Sequence, residues 1–232
     1  MAVSRDELVG RIGRQDSSRL VVDPFFGLNE DDDRTVPASL DFHLGTRFVF
    51  LRRGRDTVHD PIREGEMAEA SGTELFISLG EALYLHPGQL VLATTLEWYK
   101  LPPDLMSYVF VRSIWARRGV NIATAPAIQP HSSGRITLEL SNVGEVAVCI
   151  RPGIALGQLF FHFVEESVYS EKDLFRQPPF AVTHRPIFGT YHVSEIERAL
   201  LGTAAIPEPL HQPVRPTHIR PPRRGFFGDA IA

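Results

Sequence analysis

Apolar and polar positions alternate in short runs along most of this chain. Ile136, Leu138 and Leu140 alternate with Thr137 and Glu139, the period-two pattern of a strand with one buried face. Leu40, Phe42 and Leu44 alternate with Asp41 and His43 in the same way, and Thr46 to Leu51 continues that strand. Apolar runs at 20–22, 75–77, 82–85, 90–95, 147–150 and 159–163 add further candidate strands. His86-Pro87-Gly88, Ser132-Ser133-Gly134 and Arg151-Pro152-Gly153 supply turn chemistry between them. Short strands punctuated by regular turns argue for a β-sandwich or barrel.

Helical pattern is scarce. Residues 4–14 read as a short helix, with Ser4 as cap, Glu7 completing a capping box, and Leu8, Val9 and Ile12 as a modest apolar stripe. Residues 194–201 read as another, capped by Ser194 with Ile196, Leu200 and Leu201 apolar. Asp23-Pro24 ends the first strand, and Leu101-Pro102-Pro103-Asp104 is a breaker reached from Glu97 to Lys100.

Two polar stretches interrupt the β pattern. Residues 29–34 read as an acidic, solvated loop, and 52–73 as a long surface excursion. Loops of that length are uncommon unless they cover a site or a partner. Beyond Gly202 the chain is rich in Pro and Arg, which cannot build a core. The expected division is a folded domain over 1–185 and an extended or disordered extension over 186–232. That extension either solubilises the chain, packs on a neighbouring subunit, or touches phosphate through its arginines. No internal repeat is present.

Composition narrows the classes. The chain has 232 residues, of which 43% are hydrophobic, enough for a sizeable core. A net charge of −4 and a pI near 6.1 give no global case for binding nucleic acid or membrane. The single cysteine, Cys149, excludes a disulfide framework and a Cys-rich zinc site; it reads as a small buried hydrophobe in a strand. No run approaches the roughly 20 apolar residues of a membrane helix. Residues 1–14 lack the apolar centre of a signal peptide. These features lead to the expectation of a cytoplasmic, soluble protein.

The motif order resembles the dCTP deaminase branch of the dUTPase superfamily over roughly residues 1–180. The resemblance rests on Pro37-Ala38-Ser39-Leu40-Asp41, on Leu85-His86-Pro87-Gly88 through Thr94-Thr95-Leu96-Glu97, and on Arg112-Ser113 with Ala116-Arg117 and Gly119. It continues through Thr124-Ala125, Gly134, Thr137-Leu138-Glu139, Asn142, Pro152-Gly153 and Gly157-Gln158. Each piece is weak alone; their order and spacing are specific together. The resemblance implies a mainly β subunit, a distorted barrel or jelly-roll of the dUTPase-like type with few short helices. It also implies a homotrimer with active sites between subunits, a cytosine nucleotide as substrate, no zinc, and Mg2+ carried by the triphosphate.

Hydrolytic deamination needs a water activated at C4 of cytosine and a proton for the departing amine, and one carboxylate can serve both steps. The resemblance assigns that role to Glu139, which from alternation alone reads as a solvated outer-face carboxylate. It places Ser113 and Arg117 around the reacting water, the carboxylate and the phosphates, and the backbone carbonyl of Ala125 toward the water and amine. If residues 113–118 form a helical turn, Ser113 and Arg117 share a face. Arg112, Gln129, Thr137, Gln158, Tyr169 and Arg176 become candidate nucleotide ligands, Gln158 being equally readable as a buried hydrogen-bonding residue. Asp41 reads as an architectural anchor. Zinc deaminases carry a His-x-Glu and Pro-Cys-x-x-Cys signature, which is missing from this sequence.

Three departures matter. Ile114 stands where the family has a second serine. Gln129 replaces an Asp that meets the sugar 3′-hydroxyl, and Ser132 replaces an aromatic that packs on deoxyribose. His131 is either a surface turn residue or a new contact. The catalytic half of the site is therefore expected to be kept and the sugar-reading half altered. The expected activity is dCTP deamination to dUTP. The alternatives are a bifunctional deaminase and dUTP diphosphatase, faintly suggested by Arg224-Gly225-Phe226-Phe227-Gly228, and a catalytically inactive nucleotide-binding trimer.

Overall fold

A computed structural model describes residues 2–26, 38–51, 72–122 and 126–165, together with Pro186 and Glu197. The 186–232 extension (apart from those two residues), the acidic loop, the 194–201 helix (Glu197 aside) and most of the 52–73 excursion lie outside the described residues.

The chain opens with α1 (Arg5–Gly13), capped as its sequence predicts: the Ser4 hydroxyl accepts from the Glu7 amide at 3.3 Å. Its apolar stripe is narrower than predicted. Leu8 is fully buried, but Val9 is exposed and Arg11 is buried in its stead. Arg11 is tolerated because its charge is met on every side. Its Nε donates to Glu7 at 2.9 Å, its NH1 and NH2 reach the two Asp104 oxygens at 2.7 Å, and its guanidinium lies 5.3 Å from the Phe163 ring centre. Val3 N–H adds a bond to Phe161 O at 3.0 Å, so the N-terminal segment is fastened to the main sheet.

The strands follow the alternation. They are β1 (Val21–Asp23), β2 (Ser39–Leu51), β3 (Gly72–Phe76), β4 (Leu83–Leu85), β5 (Leu90–Thr95), β6 (Trp98–Lys100) and β7 (Leu105–Val111). After the single-turn α2 (Ser113–Ala116) come β8 (Val120–Ile122), β9 (Ala127–Ile128), β10 (Ser133–Gly134), β11 (Thr137–Asn142), β12 (Val148–Ile150) and β13 (Ala155–Phe163). The main sheet runs β8-β11-β5-β2-β13-β7-β9, with β3 also paired to β2. A three-stranded sheet β1-β6-β10 and a pair β12-β4 complete the fold. Every pairing among the described strands is antiparallel. The architecture is mainly β, as the alternation predicts.

The long strand β2 organises the sheet. Its first residues pair with β13, and its second half pairs with β5 and β3. The register breaks between Leu44 and Phe48, where the strand bends around Gly45. A Cβ at Gly45 would sit 2.7 Å from Thr94 O, so only glycine allows the approach. Leu40, Phe42, Leu44, Phe48, Ala93, Leu138, Leu140, Leu159 and Phe161 form the core behind it.

Two expectations need correction. Cys149 is not a buried hydrophobe. In the three-residue β12 only Val148 and Ile150 point inward, and Cys149 is only partly buried opposite Tyr84. Residues 98–100, expected only to lead into a breaker, form the central strand of the β1-β6-β10 sheet and bury Tyr99. Among the described residues no helix is long and apolar enough to cross a membrane.

Arg11→Ala would leave Asp104 without its cation and open a gap over Phe163. It is expected to lower stability by about 3 kcal/mol, read as a lower urea midpoint with an unchanged slope.

Candidate active site

Strand β11 carries Glu139 between β5 and β8, directly opposite Leu92. Period two sends Leu138 and Leu140 into the core and leaves Thr137, Glu139 and Ser141 on the other face. That face is not open solvent. Leu92 and its cross-strand neighbour Val49 are buried, and Glu139 Oε2 is buried with no hydrogen-bond partner among the described residues. Burial pushes the Glu139 carboxyl above the usual range, and a hydrogen bond to its own backbone opposes this more weakly. A partly desolvated carboxyl with one oxygen left unpaired among the described residues is suited to proton transfer at a reacting centre.

The segment after β7 presents Ser113 and Arg117. Arg112 caps α2 in an extended conformation, and the Arg117 amide bonds Ser113 O at 3.0 Å. One helical turn therefore separates the two residues, and they share a face as their spacing predicts. Both are exposed, and among the described residues neither hydrogen-bonds Glu139.

The base of α2 is fastened to the start of β13. Arg112 N–H donates to Leu156 O at 3.0 Å, and the Trp115 indole N–H donates to Ala155 O at 2.9 Å. Arg112 NH1 donates to Asp41 Oδ2 at 3.0 Å, and Gln158 Nε2 donates to Asp41 Oδ1 at 3.0 Å. Asp41, Gln158 and Phe110 form one cross-strand row over β2, β13 and β7. The register shifts between Ala155 and Gly157, and a Cβ at Gly157 would come within 2.5 Å of Phe110 O as well as striking the Phe42 ring. Glycine there is what lets β13 pass close enough for Gln158 to reach Asp41.

A second polar knot was not legible as a unit. Glu97, 2% exposed, accepts from His43 N–H at 3.0 and 3.1 Å and lies 2.6 Å from His43 Nδ1. Phe26 packs edge-on against the His43 ring at 4.7 Å. The fully buried Tyr99 phenol is pushed well above its usual pKa, first by burial and then by the charge of Glu97. The only sequence signal was that Asp41 and His43 share one face of β2.

The turn before β10 is the third polar feature. Ser132 N–H donates to Gln129 O at 3.2 Å around Pro130 and His131, and His131 has φ 64°. Proline followed by a left-handed residue is type II turn chemistry. Gln129 is exposed, and Thr137 stands opposite Thr94 on the Glu139 face. The structure thus joins Arg112 to Gln158 through Asp41, places Thr137 beside Glu139, and leaves Ser113, Arg117 and Gln129 at the surface. Ala125, Tyr169 and Arg176 lie outside the described residues.

The family profile described as dCTP deaminase-like matches residues 10–164. A dCTP deaminase of Halorubrum lacusprofundi is 38% identical over 162 residues, 69% of this chain and 76% of that protein. A dCTP deaminase, dUMP-forming, of Halobacterium salinarum is 38% identical over 69% of this chain and 80% of its own length. Among solved structures, the 2′-deoxycytidine 5′-triphosphate deaminase of Agrobacterium tumefaciens superposes with a TM-score of 0.52 at 17% identity, over 75% of this chain. The matched part is 52% of that longer chain, so the present chain spans about half its length, and the likeness speaks to the fold. With a family profile covering most of the described strands and relatives this similar, the chain belongs to the dCTP deaminase-like family.

Proposed function

We propose that this protein hydrolyses the exocyclic amine of a cytosine deoxynucleotide without zinc, converting dCTP and water to dUTP and ammonia. The observation that carries the reading is the buried Oε2 of Glu139, without a partner among the described residues, in a chain whose relatives are dCTP deaminases. Glu139 takes a proton from water as its oxygen adds to C4. The C4–N bond then breaks, and the same carboxyl returns the proton to the departing amine. The raised pKa of Glu139 suits both halves of that cycle.

Ser113 and Arg117 orient the water and the carboxylate from an adjoining subunit of a homotrimer. Their exposure, and that of their neighbours Phe110 and Ile114, each 51% exposed, fits a surface completed by a second copy. The role proposed for the Ala125 carbonyl is to accept from the water and the amine. Arg112, Gln158, Tyr169 and Arg176 serve the phosphates, and Thr137 and Gln129 the nucleoside.

Mg2+ fits only as a passenger of the substrate. It is held largely by phosphate and water oxygens in such sites, and Asp41, the carboxylate beside Arg112, already accepts a bond on each oxygen. Mg2+ on the triphosphate would neutralise phosphate charge, while Arg112 meets the oxygens left over.

A second reading adds hydrolysis of the product to dUMP, favoured by the dUMP-forming relatives. Pyrophosphate release from dCTP distinguishes it from deamination alone.

Glu139→Gln is expected to lower kcat for ammonia release by about 100-fold to 10,000-fold; near-normal turnover would sink the mechanism. In the wild type, kcat/KM should fall on acidification at a higher pH than an ordinary glutamate, near 4.3, would set. Folding raises the pKa of Glu139, so the native chain binds its proton where the unfolded chain has released it. Its contribution to stability therefore declines as pH climbs through that window. Urea titrations of wild type and Glu139→Gln from pH 4 to 7 should show the variant gaining relative stability with pH; parallel curves would contradict the burial argument.

A further inference from the structure

The single turn α2 is held at its two ends by main-chain bonds. Arg112 N–H at its start donates to Leu156 O at 3.0 Å, and beyond its end Val143 N–H donates to Gly119 O at 2.8 Å. Such tethers fix where the turn sits and leave its rotation about its own axis open. One turn has too little packed face to oppose that rotation by itself.

One side chain does oppose it. Trp115 is the only residue of α2 that is not exposed, and it packs against the hydrophobic core. Its indole N–H donates to Ala155 O at 2.9 Å, where the register of β13 shifts. Among the described residues no other side chain of α2 hydrogen-bonds another element. An apolar side chain of the same bulk could fill the space, but a donor adds direction. A helix turns about 100° per residue, so Trp115 stands about 200° from Ser113 and from Arg117. Arg117 keeps helical dihedrals at the C-cap. The face that carries both candidates is therefore opposite the face that the indole pins.

We propose that Trp115 is a positioning residue for the reaction: its bond to Ala155 O sets the rotation of α2 and so aims Ser113 and Arg117 at the water and the carboxylate. The inference rests on the roles proposed for those two residues in cytosine deamination. It assigns Trp115 to turnover and not to nucleotide affinity, because Asp41 holds Arg112 and Gln158 without the indole.

The test combines dCTP deamination by the full chain, with Mg2+, and amide hydrogen exchange of the nucleotide-free protein. Trp115→Phe removes the donor and keeps a ring. A second variant carries β-(3-benzothienyl)alanine at the same position, which keeps the bicyclic shape and lacks only the N–H. Each should speed exchange over residues 113–119 and leave β11 unchanged. Each should lower kcat about threefold to tenfold, one neutral hydrogen bond's worth, at constant KM. In a Ser113→Ala, Arg117→Ala background the same changes should cost nothing further. A lower melting temperature with unchanged kcat would make Trp115 merely structural and overturn the proposal. An undiminished loss in the double-alanine background, or unchanged exchange over 113–119, would overturn it as well and leave deamination standing. A wild type that releases no ammonia would refute the deamination reading and the catalytic role drawn from it, while the exchange result would still decide whether Trp115 pins α2.

Discussion

Asp41 accepts a hydrogen bond on each carboxylate oxygen, one from Arg112 at the end of β7 and one from Gln158 in β13. The Arg112–Asp41 pair is partly solvated, and such pairs contribute only about 1 kcal/mol. Its importance is positional. Three strands that meet in one cross-strand row are held at the point where the chain leaves the sheet to form α2. The two bonds from Arg112 N–H and the Trp115 indole fall on the same irregular stretch of β13. That irregularity in turn depends on a glycine at 157, since any side chain would strike Phe42. The placement of Ser113 and Arg117 is thus inherited from a backbone defect two elements away.

Glu139 and Asp41 are both carboxylates on the outward faces of core strands, and their surroundings differ in one decisive way. Asp41 has a donor for each oxygen. Glu139 has a buried oxygen with none among the described residues, beside Leu92 and Val49. For Glu139, loss of water outweighs its bond to its own backbone, and the proton is held more tightly than usual. An anchored anion suits architecture, while a desolvated and unengaged carboxyl suits proton exchange with a ligand. The same contrast separates Glu97, enclosed by His43, from the catalytic candidate.

Among the described residues of one chain, Glu139 Oε2 has no partner, and Ser113 and Arg117 are exposed. Glu139 lies on the outer face of β11, while α2 follows β7, packs beside β8 and keeps Ser113 and Arg117 exposed. Small helical turns do not bury themselves, and α2 has no buried residue of its own. The proposed trimer, by bringing α2 of one copy to β11 of another, would join these groups and would cover the apolar surface around Phe110 and Ile114.

Period-two alternation was enough to find β2 and β11 and to set Leu138 and Leu140 against Glu139, because a strand's side-chain direction is a local property of the backbone; continuous apolar runs marked β5 and the second half of β13. The helical spacing of Ser113 and Arg117 and the cap at Ser4 were legible for the same reason. The burial of Arg11, the His43–Glu97–Tyr99 knot and the exposure of Cys149 were not. Each depends on residues distant in sequence, such as Asp104 for Arg11 and Glu97 for His43, or on a strand too short to show a period. Sequence alone therefore determined which side chains share a face. Only the tertiary structure decided which of them keep water, gain a partner or stand buried without one, because solvation and pairing are set by what packs against a face and not by the order of residues along it.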